Sequence, residues 1–189
     1  SGGSVFLTAG TLEGGGVIRA NGGQGNTSGS GGGGRVAVIL RDGNTIDRVN
    51  VGAYGGVGGS GNGGAGTIYV QTPAQGYRKG TVLLANNNQA AGMTHVPPLV
   101  AAQLDELDRA TVMVSNRASV ASTTNTTVGE LLIYTNSFWT LTNWTVSVMK
   151  QEHSLEDPIK RGPGATNRVD HYGQVRWVGG PVATLFMLR

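Results

Sequence analysis

The densest grouping of acids, bases and cations in the chain is "KQEHSLEDPIKR", which holds Lys150, Glu152, His153, Glu156, Asp157, Lys160 and Arg161. A lysine or arginine base beside a carboxylate-held cation is the equipment of a polysaccharide lyase, the cation neutralising a uronate. A solvated polar loop uses the same alternation of charge, and that plainer reading is preferred. "LDELD" gathers Asp105, Glu106 and Asp108 but lacks the oxygen spacing of a calcium loop, so it reads as a solvated face. His95, His153 and His171 are far apart, none in the spacing of a metal pair. No Gly-x-Ser-x-Gly elbow occurs, and no glycine string leads into the Gly-Lys-Ser/Thr of a phosphate loop. With no cysteine, thiol nucleophiles, disulfide scaffolds and cysteine-built zinc sites are excluded. No catalytic or metal-binding role is assigned to any residue and no cofactor is expected. The chain reads as a non-enzyme, with polysaccharide lyase as the rival.

Binding candidates are few. "SFWTLTNWT" offers Trp139 and Trp144 for stacking on a sugar, with burial in the core as the competing fate. Asn26, Asn125 and Asn143 each open a formal N-glycosylation sequon. The net charge of +3 is carried by scattered basic residues without aromatic interleaving, so nucleic acid is not an expected partner. No 18-residue apolar run is present, hence no membrane span is expected.

The elements that would position these residues follow from a repeat. "GGSVFLTAGTLEGGGVIRANGGQG", "GGRVAVILRDGNTIDRVNVGAYGGVG" and "AGTIYVQTPAQGYRKGTVLLANNNQA" share one plan: small residues, an apolar triplet, a turn, a second triplet, then small or amide residues. The triplets centre on positions 6, 18, 37, 50, 69 and 83, so alternate centres stand 31, 32, 32 and 33 residues apart. Two short strands per unit and no helical periodicity predict one coil of a β-solenoid. Alternation turns Val5, Leu7, Val36, Val38, Ile68 and Val70 to one side, the interior. Stacked at ~4.8 Å, coils give each strand a parallel neighbour above and below.

Of 33 glycines, 24 lie in residues 1–66, more than the corners of coils need. They form protruding loops, or extended polyglycine strands bonded side by side; the sequence leaves both open. From residue 86 glycine becomes scarce and strand-like triplets recur at Val112–Val114, Leu131–Ile133, Val146–Val148 and Val175–Trp177. The 34 residues between Met113 and Ser147 suggest similar coils there. Val100, Leu104 and Leu107 stand at helical spacing, consistent with a turn or two of helix. The predicted fold is thus all-β: a parallel β-helix or β-solenoid with Gly-rich inter-coil loops and coils of about 32 residues. Residues 1–85 form the Gly-rich repeats, and 86–189 a Gly-poor continuation with the C-terminal coils.

The passages "GGGGRVAVIL", "GGAGTIYVQ" and "VGELLIYTNSFWTLTNWTVSV…GQVRWVGG" resemble the glycine-rich, pectin-lyase-like parallel β-helix repeats of large secreted or cell-surface bacterial proteins. The resemblance implies an extracellular or cell-surface protein such as an adhesin, surface layer or passenger domain, and it carries no catalytic motif.

The first residues, "SGGS", read as the middle of a connection, so a fragment of a larger precursor is expected. Both ends read as uncapped strands, which favours association of copies by strand pairing. The residues expected to mediate it are Val5, Phe6 and Leu7 at one end and Val182, Leu185, Phe186, Met187 and Leu188 at the other. Head-to-tail contacts of this kind do not close, so they build filaments. A structural filament or surface-layer subunit is the leading expectation; a carbohydrate-binding or lyase-like protein, or an adhesin passenger fragment, is the alternative.

Overall fold

The computed structural model describes residues 1–43, 45–46, 48–90, 92–96, 107–134, 136–141, 144–149, 159–161 and 174–177, the last two as strand backbone alone. Strands β1 (Ser4–Ala9), β2 (Val17–Arg19), β3 (Arg35–Leu40), β4 (Asn50–Gly52), β5 (Thr67–Gln71) and β6 (Thr81–Ala85) come from the three repeats. They are followed by β7 (Met93–Val96), β8 (Thr111–Ser115), β9 (Ser119–Ser122), β10 (Thr126–Val128) and β11 (Glu130–Ile133). The last are β12 (Phe138–Thr140), β13 (Thr145–Val148), β14 (Ile159–Arg161) and β15 (Gln174–Trp177). A seven-stranded sheet has the order β1-β3-β5-β6-β8-β11-β14; β10-β13-β15 and β12-β9-β7 form three-stranded sheets, and β2-β4 a pair.

Alternation explains which residues these strands bury. In β3 every second side chain, Val36, Val38 and Leu40, is buried, and Ile68 in β5 continues the row. Val5, Leu7 and Val70 pack against the same cluster, so the six residues expected to face inward do so. A second core joins Leu84, Val112, Val114, Val120, Val128, Leu131, Trp139, Val146 and Val148 from seven strands, β6 and β8 to β13.

The expected β-solenoid of about 32-residue coils is not what these strands form. A uniform coil would lay the sixth strand on the fourth. Instead β6 turns back and pairs antiparallel with β5, Ile68 opposite Leu83 and Val70 opposite Thr81. The cause lies in the third turn, "TPAQGYRKG". Pro73 opens a single 3-10 turn, and Gly76 (φ 84°) and Arg78 (φ 60°) adopt left-handed backbone, which reverses the chain tightly. Gln75 then ties the reversal: its Oε1 accepts from the Thr72 backbone N–H at 2.9 Å, and its Nε2 donates to Thr81 Oγ1 at 2.9 Å. Beyond this point the period is lost. Paired strands start 30 residues apart from β6 to β8 (Thr81 with Thr111), but only 19 from β8 to β11 (Thr111 with Glu130). Met113 and Ser147, whose spacing suggested a coil, belong to different sheets. Most of the stretch expected to be helical, 99–106, lies outside the described residues.

The glycine runs adopt the second of the two arrangements left open. Extended segments bond from one repeat to the next: Gly2 N–H to Gly32 O, Gly22 to Tyr54 O, Gly25 to Val57 O and Gly33 to Gly64 O, at 2.8 to 2.9 Å. Within a repeat they also bond sideways, Gly31 to Gly23 O at 2.9 Å and Gly66 to Ala53 O at 2.6 Å. Backbone therefore touches backbone in two directions. A Cβ on Gly33 would lie 2.0 Å from Ala53 O, and one on Gly66 2.0 Å from Gly34 O, distances that no side chain can occupy. Amides stitch the same seams: Asn21 Oδ1 accepts from Tyr54 N–H at 2.9 Å, and the fully buried Asn86 accepts from Gly55 N–H at 2.8 Å.

Two outcomes follow for denaturant unfolding. Gly33→Ala forces backbone apart and is expected to lose about 3 kcal/mol or more, whereas Gly3→Ala, with no atom within 4 Å of its Cβ, stays within about 1 kcal/mol of the parent. Asn86→Ala strands the Gly55 N–H and is expected to lose about 1–3 kcal/mol.

Candidate association surface

At the β1 end the interior rows stop short of being covered. Register sets Val5 beside Val36 and Ile68, and Leu7 beside Val38 and Val70. Val36 and Val38 are 1% and 0% exposed, because a strand flanks them on each side. Val5 and Leu7 are only half-buried, since β1 pairs with β3 alone among the described residues. Among the described residues β2 has one strand neighbour, β4, and both its inward Ile18 and the facing Val51 are half-buried. On the other side of these strands Phe6 is 73% exposed and Val17 58%. The hydrogen bonds that join the first repeat to the second run along its length, through Gly2, Ala20, Gly22 and Gly25. Among the described residues no strand pairs with β1 or β2 on the other side, which leaves a strand edge there. Such an edge is a template for another strand.

Among the described residues the chemical candidates do not form a site. Lys150, Glu152, His153, Glu156, Asp157, Asp105, Glu106 and His171 lie outside the described residues, as do Asn143 and Val182, Leu185, Phe186, Met187 and Leu188. Lys160 and Arg161 fall on β14, in register with Leu132 and Ile133 of β11. His95 is exposed on β7 beside Ala121 of β9. Asp108 is half-buried, with Oδ1 shut away from water and unpartnered. Among the described residues no group of three or more His, Cys, Asp or Glu could hold a metal ion, and no helix is long and apolar enough to cross a membrane.

The two tryptophans of "SFWTLTNWT" are separated by the fold. Trp139, 2% exposed, sits in the second core with Nε1 donating to Ser122 Oγ at 2.8 Å, and its ring offers no face to a sugar. Trp144 is 39% exposed. Of the sequons, Asn26 is exposed on a glycine segment; Asn125 is exposed as well, but its Oδ1 accepts from the Thr145 N–H at 2.9 Å. Sequence reading passed over Val17 and the turn at Tyr77–Lys79. Each is visible only as exposure: "GGGVIR" and "GYRKG" look like any strand start and any polar turn.

Compared with family models, curated proteins and solved structures, the chain finds no match.

Trp139→Ala empties a filled core position and is expected to destabilise by about 3–5 kcal/mol, whereas Trp144→Ala should leave the unfolding midpoint nearly unchanged. Urea titration followed by circular dichroism separates the two.

Proposed function

We propose that this chain is a structural, self-associating protein of the cell surface or extracellular space, with no chemistry of its own. Copies join end to end through the β1–β2 edge. The observation that carries this reading is the half-burial of Val5 and Leu7 on β1, beside Val36 and Val38, which have a strand on each side and are closed. A strand laid beside β1 completes those rows, covers the flank of Phe6 and satisfies the outward backbone groups, all without remodelling the protein. Each apolar side chain so covered adds on the order of 1 kcal/mol, and the bonded glycine edge supplies register. An end-to-end contact between unlike surfaces does not close on itself, so it extends into a filament or sheet. The resemblance to glycine-rich repeats of secreted and surface proteins agrees with this placement.

Sedimentation velocity across a concentration series tests it. The parent chain is expected to form species that grow beyond dimers as concentration rises. Leu7→Lys, which puts an inward charge on an edge strand where the side chain is already half-exposed, should weaken association tenfold or more and leave a folded monomer. A parent that stays monomeric throughout, or polymers indifferent to Leu7→Lys, rules the reading out.

A further inference from the structure

We propose that the turn between β5 and β6 is a binding site for an anionic polysaccharide, with Tyr77 as the stacking platform and Arg78 and Lys79 as the cations. Tyr77 is 74% exposed, the most open large apolar side chain among the described residues. The Arg78 guanidinium lies over its ring, 5.2 Å from the centroid, within cation–π range. Lys79 is exposed next to it. A flat aromatic face beside two cations matches a sugar ring that carries a carboxylate or sulfate: the ring's C–H face packs on the tyrosine while the acid meets the cations.

The backbone of the turn holds this group in place. Arg78 sits at φ 60°, a left-handed conformation disfavoured for a long side chain. Arg117 adopts the same conformation at φ 64°, but there the head group serves the fold, Nη1 donating to Asn88 O at 3.4 Å. Arg78 has no such duty: its Nε is buried without a hydrogen-bond partner, and the head group stays on the exposed ring. At the far end of the turn Gly80 lets the Tyr69 ring lie on the backbone, where a Cβ would come within 2.5 Å of it. Thr111 N–H bonds to Gly80 O at 3.0 Å, which brings the preceding turn alongside with the exposed Arg109 and the half-buried Asp108. Tyr77, Arg78 and Lys79 thus supply one aromatic and two cations in three successive residues, which suits a single acidic sugar unit; a nucleic-acid strand calls for a longer basic track with several stacking rings.

Affinity electrophoresis of the full chain in gels containing polygalacturonate, dextran sulfate or neutral dextran tests the assignment. At least one acidic polymer should retard the protein, less so at high salt, and neutral dextran should not. Retardation by polygalacturonate alone assigns the acid as a carboxylate; retardation by both assigns negative charge of either kind. Tyr77→Ala, Arg78→Gly, which keeps the left-handed backbone, and Lys79→Gln should each weaken binding about tenfold. Lys79→Gln alters only an exposed head group and so reads out binding even if another variant misfolds. The assignment is overturned by indifference to both acidic polymers, by equal retardation in neutral dextran, by Lys79→Gln binding like the parent, or by tighter binding to a poly(dT) oligonucleotide than to either glycan.

Discussion

The hydrogen bond between backbones about thirty residues apart is the constraint on which the first half of this protein depends. Parallel pairing of β1 with β3 and of β3 with β5 sets an interstrand spacing of about 4.8 Å, and the rest of each repeat must keep that spacing. Where two segments also meet sideways, nothing but hydrogen fits between them, and glycine is the only residue that supplies it. The contacts of Gly33 with Ala53 and of Gly66 with Gly34 show that steric limit directly. The valine rows of the interior then need no further instruction, because equal spacing along the chain places Val5, Val36 and Ile68 side by side.

The reversal at Pro73–Gly80 divides two ways of using strands. Before it, close-packed glycine backbone fills the space beside the sheet. After it, side chains fill that space: Trp139, Leu141, Leu131 and a set of valines build the later core, and the steps between paired strands become unequal. Asn86 stands at the junction, fully buried, and lends its amide to a backbone N–H of the preceding repeat. The β1–β2 edge belongs to the first way and the exposed Tyr77 turn to the point of change, so the proposed assembly and ligand contacts fall on separate parts of the chain.

Much of the local structure was legible in the sequence. Each apolar triplet singled out from Val5 to Trp177 falls on a strand, Val49 alone standing one residue ahead of β4, and the inward residues of β1, β3 and β5 follow from alternation alone. The architecture was not, because a period reports how far apart similar segments are and not how they face each other. Two triplets separated by a turn satisfy the same spacing whether the second continues forward or folds back. Pro73, Gln75 and Arg78 decide between these through a turn geometry that composition does not display. Strands such as β9 (SVAS) and β10 (TTV) were missed for a related reason: small and hydroxyl residues become strand only because larger neighbours pair with them. The site residues were the least legible. Trp139 and Trp144 look alike in sequence and have opposite environments, one held by Ser122 in the core and one at the surface.

The antiparallel β5–β6 hairpin also bears on how the chain finds its fold. Its pairs join residues 11 to 15 positions apart, from Val70 with Thr81 to Ile68 with Leu83, whereas β1 and β3 meet across 31, Ser4 with Arg35. Closing the shorter loop sacrifices less chain entropy, and a parallel neighbour gains a template only after one strand is already ordered. The hairpin is therefore the natural nucleus, from which earlier repeats dock on one flank and later strands on the other. Growth from the middle would leave β1 the last strand of its sheet to be placed on that side.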